Sequence, residues 1–355
     1  MAPQGTDSNA VLFEQDAETE DLALAKTPVQ QAEDSEWDSR GYVWHILGYG
    51  LLLFTAGLYG GYLFLVSAKW QTDVFTIILH VMSIQGITAG AHRLWSHRAY
   101  KAKWPLQLIL MVLQTGALQY SVINWVRDHR MHHKYSDTDA DPHNATRGLF
   151  FSHMGWLMVE KHPEFERKSK GMDLSDVEAN PILRFQRKYY AILVTIICVI
   201  LPTVIPVYCW NETWTNAIFV PVLFHHVCAY NAIALINSAL HKWGYRPYDK
   251  NMLATEITLL TVVTLGENYH NYHHAFPWDY KTSELGGGTF MLTTAFINFF
   301  ARIGWAYDLK TISDDVIRKR VMRTGDGSHH IWGWGDKNQS KEEITAAVRI
   351  YPKDD

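Results

Sequence analysis

Residues 214–236 read WTNAIFVPVLFHHVCAYNAIALI, a run without one Asp, Glu, Lys or Arg. A helix needs about 20 predominantly apolar residues to cross the hydrocarbon core of a bilayer. This run is long enough, and NSALH follows it directly at 237–241. Three more stretches meet the same test: Val43–Val66, Val74–Ala91 and Tyr189–Tyr208. Ser67–Asp73 joins the first pair and Cys209–Thr213 the second, so the four spans form two helical hairpins.

Basic residues orient the hairpins. Of the 32 Lys and Arg, fifteen lie between Arg93 and Lys188 and fourteen follow the fourth span, while the inter-helix turns hold only Lys69. Positive charge marks the cytosolic side of a membrane protein. The expectation is that both termini and the long central segment lie in the cytosol. Residues 1–41 carry ten Asp or Glu against Lys26 and Arg40. They read as an acidic disordered tail, because such a segment buries too little apolar surface to offset its ordering entropy. Residues 336–355 read as a polar C-terminal tail.

The formal net charge of −4 makes no electrostatic case for nucleic acid. The three cysteines lie in or beside apolar runs and form no CxxC, which excludes a disulfide framework and a thiolate metal site. PLQLILMVLQTGALQYSVI, residues 105–123, is nearly long enough for a fifth span. Its three glutamines and central Gly116 count against crossing, so it is expected to lie as a helix at the membrane surface. Phe290–Trp305 is expected to do the same.

Histidine is the residue type that points to chemistry. His92 and His97 stand just after the second span, His129, His132 and His133 after the surface helix, and His270, His273 and His274 beyond the fourth span. His241 closes NSALH. The second and third clusters repeat the spacing i, i+3, i+4, which falls on one face of a helix. His92 and His97 are five apart, fit one α-helical face poorly, and are expected to flank the end of the second span. An even number of spans separates the clusters, so all of them can meet on one side of the membrane.

Nine imidazoles exceed the needs of one metal, since a closed zinc site takes four ligands. The count suits two metals of higher coordination number. Iron fits thiolate-free, imidazole-rich ligation, and zinc, copper and nickel accept imidazole as well. A zinc hydrolase would need only three or four such ligands and a general base, and a metal transporter would place them at mid-bilayer. His45, His80, His225 and His226 lie within spans and read as structural. His143, His153 and His162 read as surface or packing residues, and His329–His330 as part of a polar tail.

HRLWSH (92–97), RDHRMHHKYSDTDADPHNATRGLFFSHMGW (127–156) and GENYHNYHHAFPWDY (266–280) resemble, in order, the three histidine boxes of membrane fatty acyl-CoA desaturases of the stearoyl-CoA desaturase type. NSALH and RPYDK (246–250) resemble further elements of that family. The likeness covers about residues 40–335 and is strongest to insect members. It implies an all-α membrane protein: four transmembrane helices in two hairpins and a helical cytosolic cap, from 92–188 and 237–335, carrying a dimetal site. Carried over position by position, the resemblance implies nine iron ligands: His92, His97, His129, His132, His133, His241, His270, His273 and His274. Asn237 would hold one iron through water. Arg127 and Asp128 match residues that contact CoA, and Trp125 and Trp156 match tryptophans near the bound acyl-CoA.

The implied reaction inserts a cis double bond into the fatty acyl chain of a CoA thioester with O2 as co-substrate. Electrons would come from NADH through cytochrome b5 and its reductase, at the endoplasmic reticulum membrane. A membrane di-iron fatty-acid hydroxylase is the nearest alternative. Some positions depart from the family. Tyr120 and Asn124 stand where many relatives have Asn and Glu, Ile233 and Ala234 where they have Thr and Trp, and Glu160 where some have Arg. Exchanging Trp for Ala beside the acyl chain points to a shifted double-bond position or an unsaturated substrate, as in pheromone or cuticular-hydrocarbon synthesis.

Overall fold

The computed structural model describes residues 43–284 and 291–333. The acidic segment 1–41, Phe290 and the tail 336–355 lie outside the described residues. The first hairpin is α1 (Trp44–Val66) and α2 (Trp70–Ser96). α3 (Trp104–Gly116) and α4 (Val122–Lys134) follow it. α5 (Tyr190–Trp210) and α6 (Trp214–His241) form the second hairpin. The cap is completed by α7 (His270–Ala275), α8 (Leu292–Arg302) and α9 (Asp314–Thr324). The short strands β1 (Lys101–Ala102) and β2 (Ala306–Tyr307) pair antiparallel and tie the start of α3 to the end of α8.

Among the described residues, α1, α2, α5 and α6 are the helices long and apolar enough to cross a membrane. α2 and α6 are the inner pair. Their apolar windows are 56% and 50% buried, against 17% and 22% for α1 and α5. α1 closes on α6 through glycine. A Cβ on Gly57 would strike Val227, and one on Gly60 the carbonyl of Phe219. Away from the cap, the buried Glu212 carboxylate takes the Lys69 amide at 2.9 Å and the Asn216 side-chain amide at 3.0 Å. That clip holds the two inter-helix turns together.

Both inner helices run further than hydropathy alone predicts. α2 passes Ala91 and continues as a π-helix from Gly86 to Ser96. α6 passes Ile236 and ends in a 3-10 turn, Ala239–His241. At 27 and 28 residues and 1.5 Å per residue, each is about 40 Å long, against about 30 Å of hydrocarbon. Residues 92–96 and 237–241 are therefore helical continuations of the spans that run past the apolar layer into the cap. Packing against the cap lets these polar turns remain helical.

The stretch 105–123 is two elements rather than one. α3 covers 13 residues, about 20 Å, too short to cross. Its Trp104, Leu108 and Val112 are exposed, while Leu106, Leu110 and Met111 are buried. That split is the pattern of a surface-lying helix. The chain then turns through Leu118 and Tyr120, both at positive φ, with the Gln114 amide donating to the Tyr120 carbonyl at 2.9 Å. Ile123 belongs to α4. α2, α3, α4 and α8 share one core built on Leu110, Val122, Val126 and Ile297. α8 keeps the expected aromatic outer face, with Phe299 exposed.

Candidate dimetal centre

The two i, i+3, i+4 triads sit as their spacing predicts, on the last turns of α4 and on α7. The first cluster straddles the end of the second span, with His92 inside α2 and His97 just past it. α2 carries His92 inside its π-helical part, and the backbone N–H of His97 donates to the His92 carbonyl at 3.1 Å. A π-helix closes its bonds from i to i+5. The pair that fits an α-helix poorly thus falls on one face of the helix that forms. A Cβ on Gly86, where this stretch begins, would collide with the backbone of Leu113 and Gln114, so α2 and α3 meet backbone to backbone.

All nine histidines converge and divide in two. Ring nitrogens of His92, His97, His129, His133 and His273 lie within 4.8 Å of one another, as do those of His132, His241, His270 and His274. The Nε2 atoms face each other: His97 to His129 at 2.8 Å, His92 to His273 at 2.9 Å, His273 to His133 at 2.9 Å, and His241 to His270 at 2.9 Å. His274 bridges within the second group, 3.0 Å from His270 and 3.3 Å from His132. Metal–imidazole bonds of about 2.0–2.1 Å would place ligands at right angles about 3 Å apart. The nitrogen spacing therefore fits a metal in each group.

The opposite ring nitrogens support the same fit. His132 Nδ1 lies 2.8 Å from Asp141, His241 Nδ1 3.2 Å from Asp137, and His92 Nδ1 3.4 Å from Glu267. A carboxylate on Nδ1 fixes the tautomer that leaves the Nε2 lone pair free for a metal. Glu267 also pairs with the buried Arg93. Burial, reinforced by neighbouring imidazoles, holds His97, His129, His133, His270, His273 and His274 well below the usual histidine range. Neutral imidazole is the form that binds metal. Burial also pulls on His132, but the Asp141 and Asp137 carboxylates overcome it and raise its affinity for a proton.

Sequence reading missed the carboxylates. Asp137, Asp141 and Glu267 lie beside the boxes as DTDAD and GEN, and the signal available was an acidic residue within nine positions of a ligand. His143, read as a surface or packing residue, is the latter. It is buried, its ring 4.4 Å from that of His132 and its Nδ1 3.3 Å from Asp141.

His329 is a correction. It is buried, not part of a polar tail. Its Nδ1 accepts the backbone N–H groups of Ile331 and Trp332, both at 3.1 Å, so its proton sits on Nε2 and is donated to Glu284 at 2.7 Å. With both nitrogens engaged, the Glu284, His329 and His330 group is a clasp on the chain rather than a metal site. His225 rests on Ser83 at 3.1 Å between α6 and α2, a packing contact away from the nine.

Beside the centre, Trp125 stacks on His129 with ring centres 4.8 Å apart, and Trp156 meets the edge of His143 at 5.4 Å. Arg127 Nε donates to Asp128 at 2.8 Å. Lys161, which sequence reading did not single out, lies 3.4 Å from the same carboxylate and 4.4 Å above the Trp156 ring. Two cations and one carboxylate leave a net positive rim on this aromatic wall. Asn237 is half-buried on α6, one turn before His241. Tyr120 is 43% exposed and Asn124 half-buried at the start of α4, while Ala234 is buried on α6 and Ile233 packs against the cluster around Ile84. The four specificity candidates thus lie on two separate elements.

A helical, multi-pass membrane protein with two histidine clusters, one five-fold and one four-fold, is the class that this fold and site define. The chain belongs to the fatty acid desaturase family, whose model matches residues 68–285. It is 53% identical to the acyl-CoA Delta-9 desaturase of Acheta domesticus over 98% of each chain. It is equally 53% identical to the acyl-CoA Delta(11) desaturase of Trichoplusia ni, over 84% of this chain and 85% of that one. Identity to the (11Z)-hexadec-11-enoyl-CoA conjugase of Bombyx mori is 55%, over 78% of this chain and 84% of that one.

Proposed function

We propose that this chain is an acyl-CoA desaturase whose nine histidines hold two iron ions, with Asn237 completing one site through water. The five-and-four division of the histidines carries the proposal. In the reaction, O2, two electrons and two protons together with two C–H bonds of the acyl chain yield a cis double bond and two waters. An unactivated methylene has no acidic proton for a general base to remove, so the iron pair would supply the oxidising power. The chain itself positions and shields. Asp137, Asp141 and Glu267 orient His241, His132 and His92; Trp125 and Trp156 wall the approach; Arg127 and Lys161 meet the CoA phosphates.

The electrons come from NADH through cytochrome b5 and its reductase. The positive-inside pattern supports termini and cap in the cytosol, at the endoplasmic reticulum, with residues 42–335 as the desaturase domain between two tails. The product is not limited to a Δ9 bond in a saturated chain. Relatives named for Δ9 and Δ11 positions are equally similar, so overall identity does not select the position, and the departures at Tyr120, Asn124, Ile233 and Ala234 are where it would be set.

Expression in yeast lacking its own desaturase, with defined fatty acids supplied and double bonds located by mass spectrometry, tests both statements. New double bonds are expected. Hydroxylated products, or none from any acid, would overturn the desaturase reading. Δ9 products alone, from saturated acids alone, would overturn only the shifted specificity.

A further inference from the structure

Between Glu256 and Gly266 the chain reads ITLLTVVTL, nine residues drawn only from Ile, Leu, Val and Thr, with no charge. The segment leaves the cap and returns to it. At its root Glu256 bridges to Tyr245 on one side and Tyr269 on the other. At its end Glu267 pairs with Arg93 and stands 3.4 Å from His92. In between, the side chains divide. Leu265 is buried, but Leu259 is 88% exposed, Val262 63% and Val263 46%.

Leu265 shows where this loop lies. It packs with Ile84 of α2 and with Ala229 and Ala232 of α6, flanked by Val81, Ile233 and Leu292. Ile84 is 14 residues from Trp70 at the far end of α2, about 21 Å along the helix. Ala229 and Ala232 are 15 and 18 residues from Trp214, about 22 and 27 Å along α6. With about 30 Å of hydrocarbon starting near those terminal tryptophans, all three contacts fall inside the apolar layer. Trp243 and Tyr245, exposed at the loop's root, suit the interfacial level above it.

Irregular backbone survives at that depth only when its polar groups are satisfied from within. Here they are. The amides of Leu260, Thr261, Thr264, Leu265 and Gly266 donate to carbonyls between Ile257 and Val262. The Thr261 and Thr264 hydroxyls close on the Thr258 and Leu260 carbonyls at 2.6 and 2.9 Å.

We propose that residues 257–265 form a re-entrant loop inserted into the cap-side leaflet, with Leu259, Val262 and Val263 facing lipid acyl chains. Three exposed aliphatic residues on an uncharged, internally bonded turn have hydrocarbon as their fitting solvent. The loop therefore anchors the lead-in to the third histidine box, through Leu265 in the apolar layer and Glu267 on Arg93 above it. This rests on the four-span reading and is independent of the reaction catalysed.

The test uses the full chain carrying Cys198→Ser, Cys209→Ser and Cys228→Ser, in phosphatidylcholine nanodiscs. Single cysteines replace Leu259 or Val263, with Leu58 on the outer face of α1 and Lys319 on α9 as references, each labelled with an environment-sensitive fluorophore. Lipid-borne nitroxide is expected to quench positions 259 and 263 as it quenches 58, and aqueous iodide to quench only 319. Iodide quenching at 259 and 263 equal to that at 319 would overturn the proposal. So would iodide accessibility that disappears only when the cytochrome b5 domain is added, or when two chains share a disc, since the patch would then be a protein interface. Loss of nitroxide quenching at position 58 would count against the four-span reading instead.

Discussion

His132 Nδ1 and Asp141 Oδ2 stand 2.8 Å apart, both side chains nearly excluded from solvent. The same carboxylate accepts the backbone N–H of Asp137 at 2.9 Å and lies against His143. One aspartate nine residues from its histidine thus sets the ring that faces the second metal group.

Asp141→Asn should leave the fold intact and loosen that ring. Losing a carboxylate behind a metal-bound histidine costs about 10–100-fold in metal affinity. A chelator titration of the purified protein, followed by elemental analysis, is expected to strip one metal equivalent at lower chelator concentration than in the parent. Unchanged retention would refute the role of Asp141.

The division of the histidines predicts separable occupancies. His270→Gln removes a ligand from the four-histidine group, and His133→Gln one from the five-histidine group. Each variant should retain about one iron per chain where the parent is expected to hold two, and each should lose desaturation. A single substitution that emptied both positions would indicate one merged site.

Gly86 predicts a packing defect at a residue that is not itself a candidate ligand. Its added Cβ would meet the backbone of Leu113 and Gln114, which cannot yield as a flexible side chain does. Overpacking of this kind typically costs about 1–3 kcal/mol. Gly86→Val should lower the thermal midpoint in detergent, whereas Gly48→Val, with open space around it, should not.

The clasp between His329 and Glu284 predicts a dependence on pH. Burial opposes ionisation of Glu284, and hydrogen bonds from His329 and from Tyr248 outweigh it, so its carboxyl lies below the usual value of 4.5. A group with a lowered folded pKa adds stability above its unfolded pKa and loses it as pH falls through the folded one. The parent should therefore be more stable than Glu284→Gln at pH 7, and the gap should close as the pH drops below about 4.5. Thermal unfolding at several pH values reads this, and a gap that widens in acid would contradict it.

Lys161 predicts a binding effect. Hydrogen bonds to charged groups are worth about 1.5–3 kcal/mol, so Lys161→Ala should raise KM for acyl-CoA about ten-fold or more. kcat should change little, and salt should weaken the parent more than the variant. An effect on kcat alone would place Lys161 outside substrate binding.

Much of the molecule is legible in the chain. Apolar length located the four helices, because a bilayer demands about 20 such residues whatever the partner. The i, i+3, i+4 triads declared their faces because helical periodicity is local. An even number of spans required His92, His133, His241 and His273 to share one side.

Tertiary structure decided the rest. The π-helix that aligns His92 with His97 begins at Gly86, where α2 meets α3 in a contact that no local pattern encodes. The division of nine histidines into five and four separates His132 from its neighbour His133, which spacing alone cannot do. The pairing of Glu267 with His92, and the packing of Leu265 against Ile84, join positions more than 170 residues apart. The sequence by itself determined that this protein crosses a membrane and gathers imidazole on one side of it, since both follow from solvation and helical period. Only the folded chain decided which imidazoles meet, because that depends on packing between helices distant in sequence.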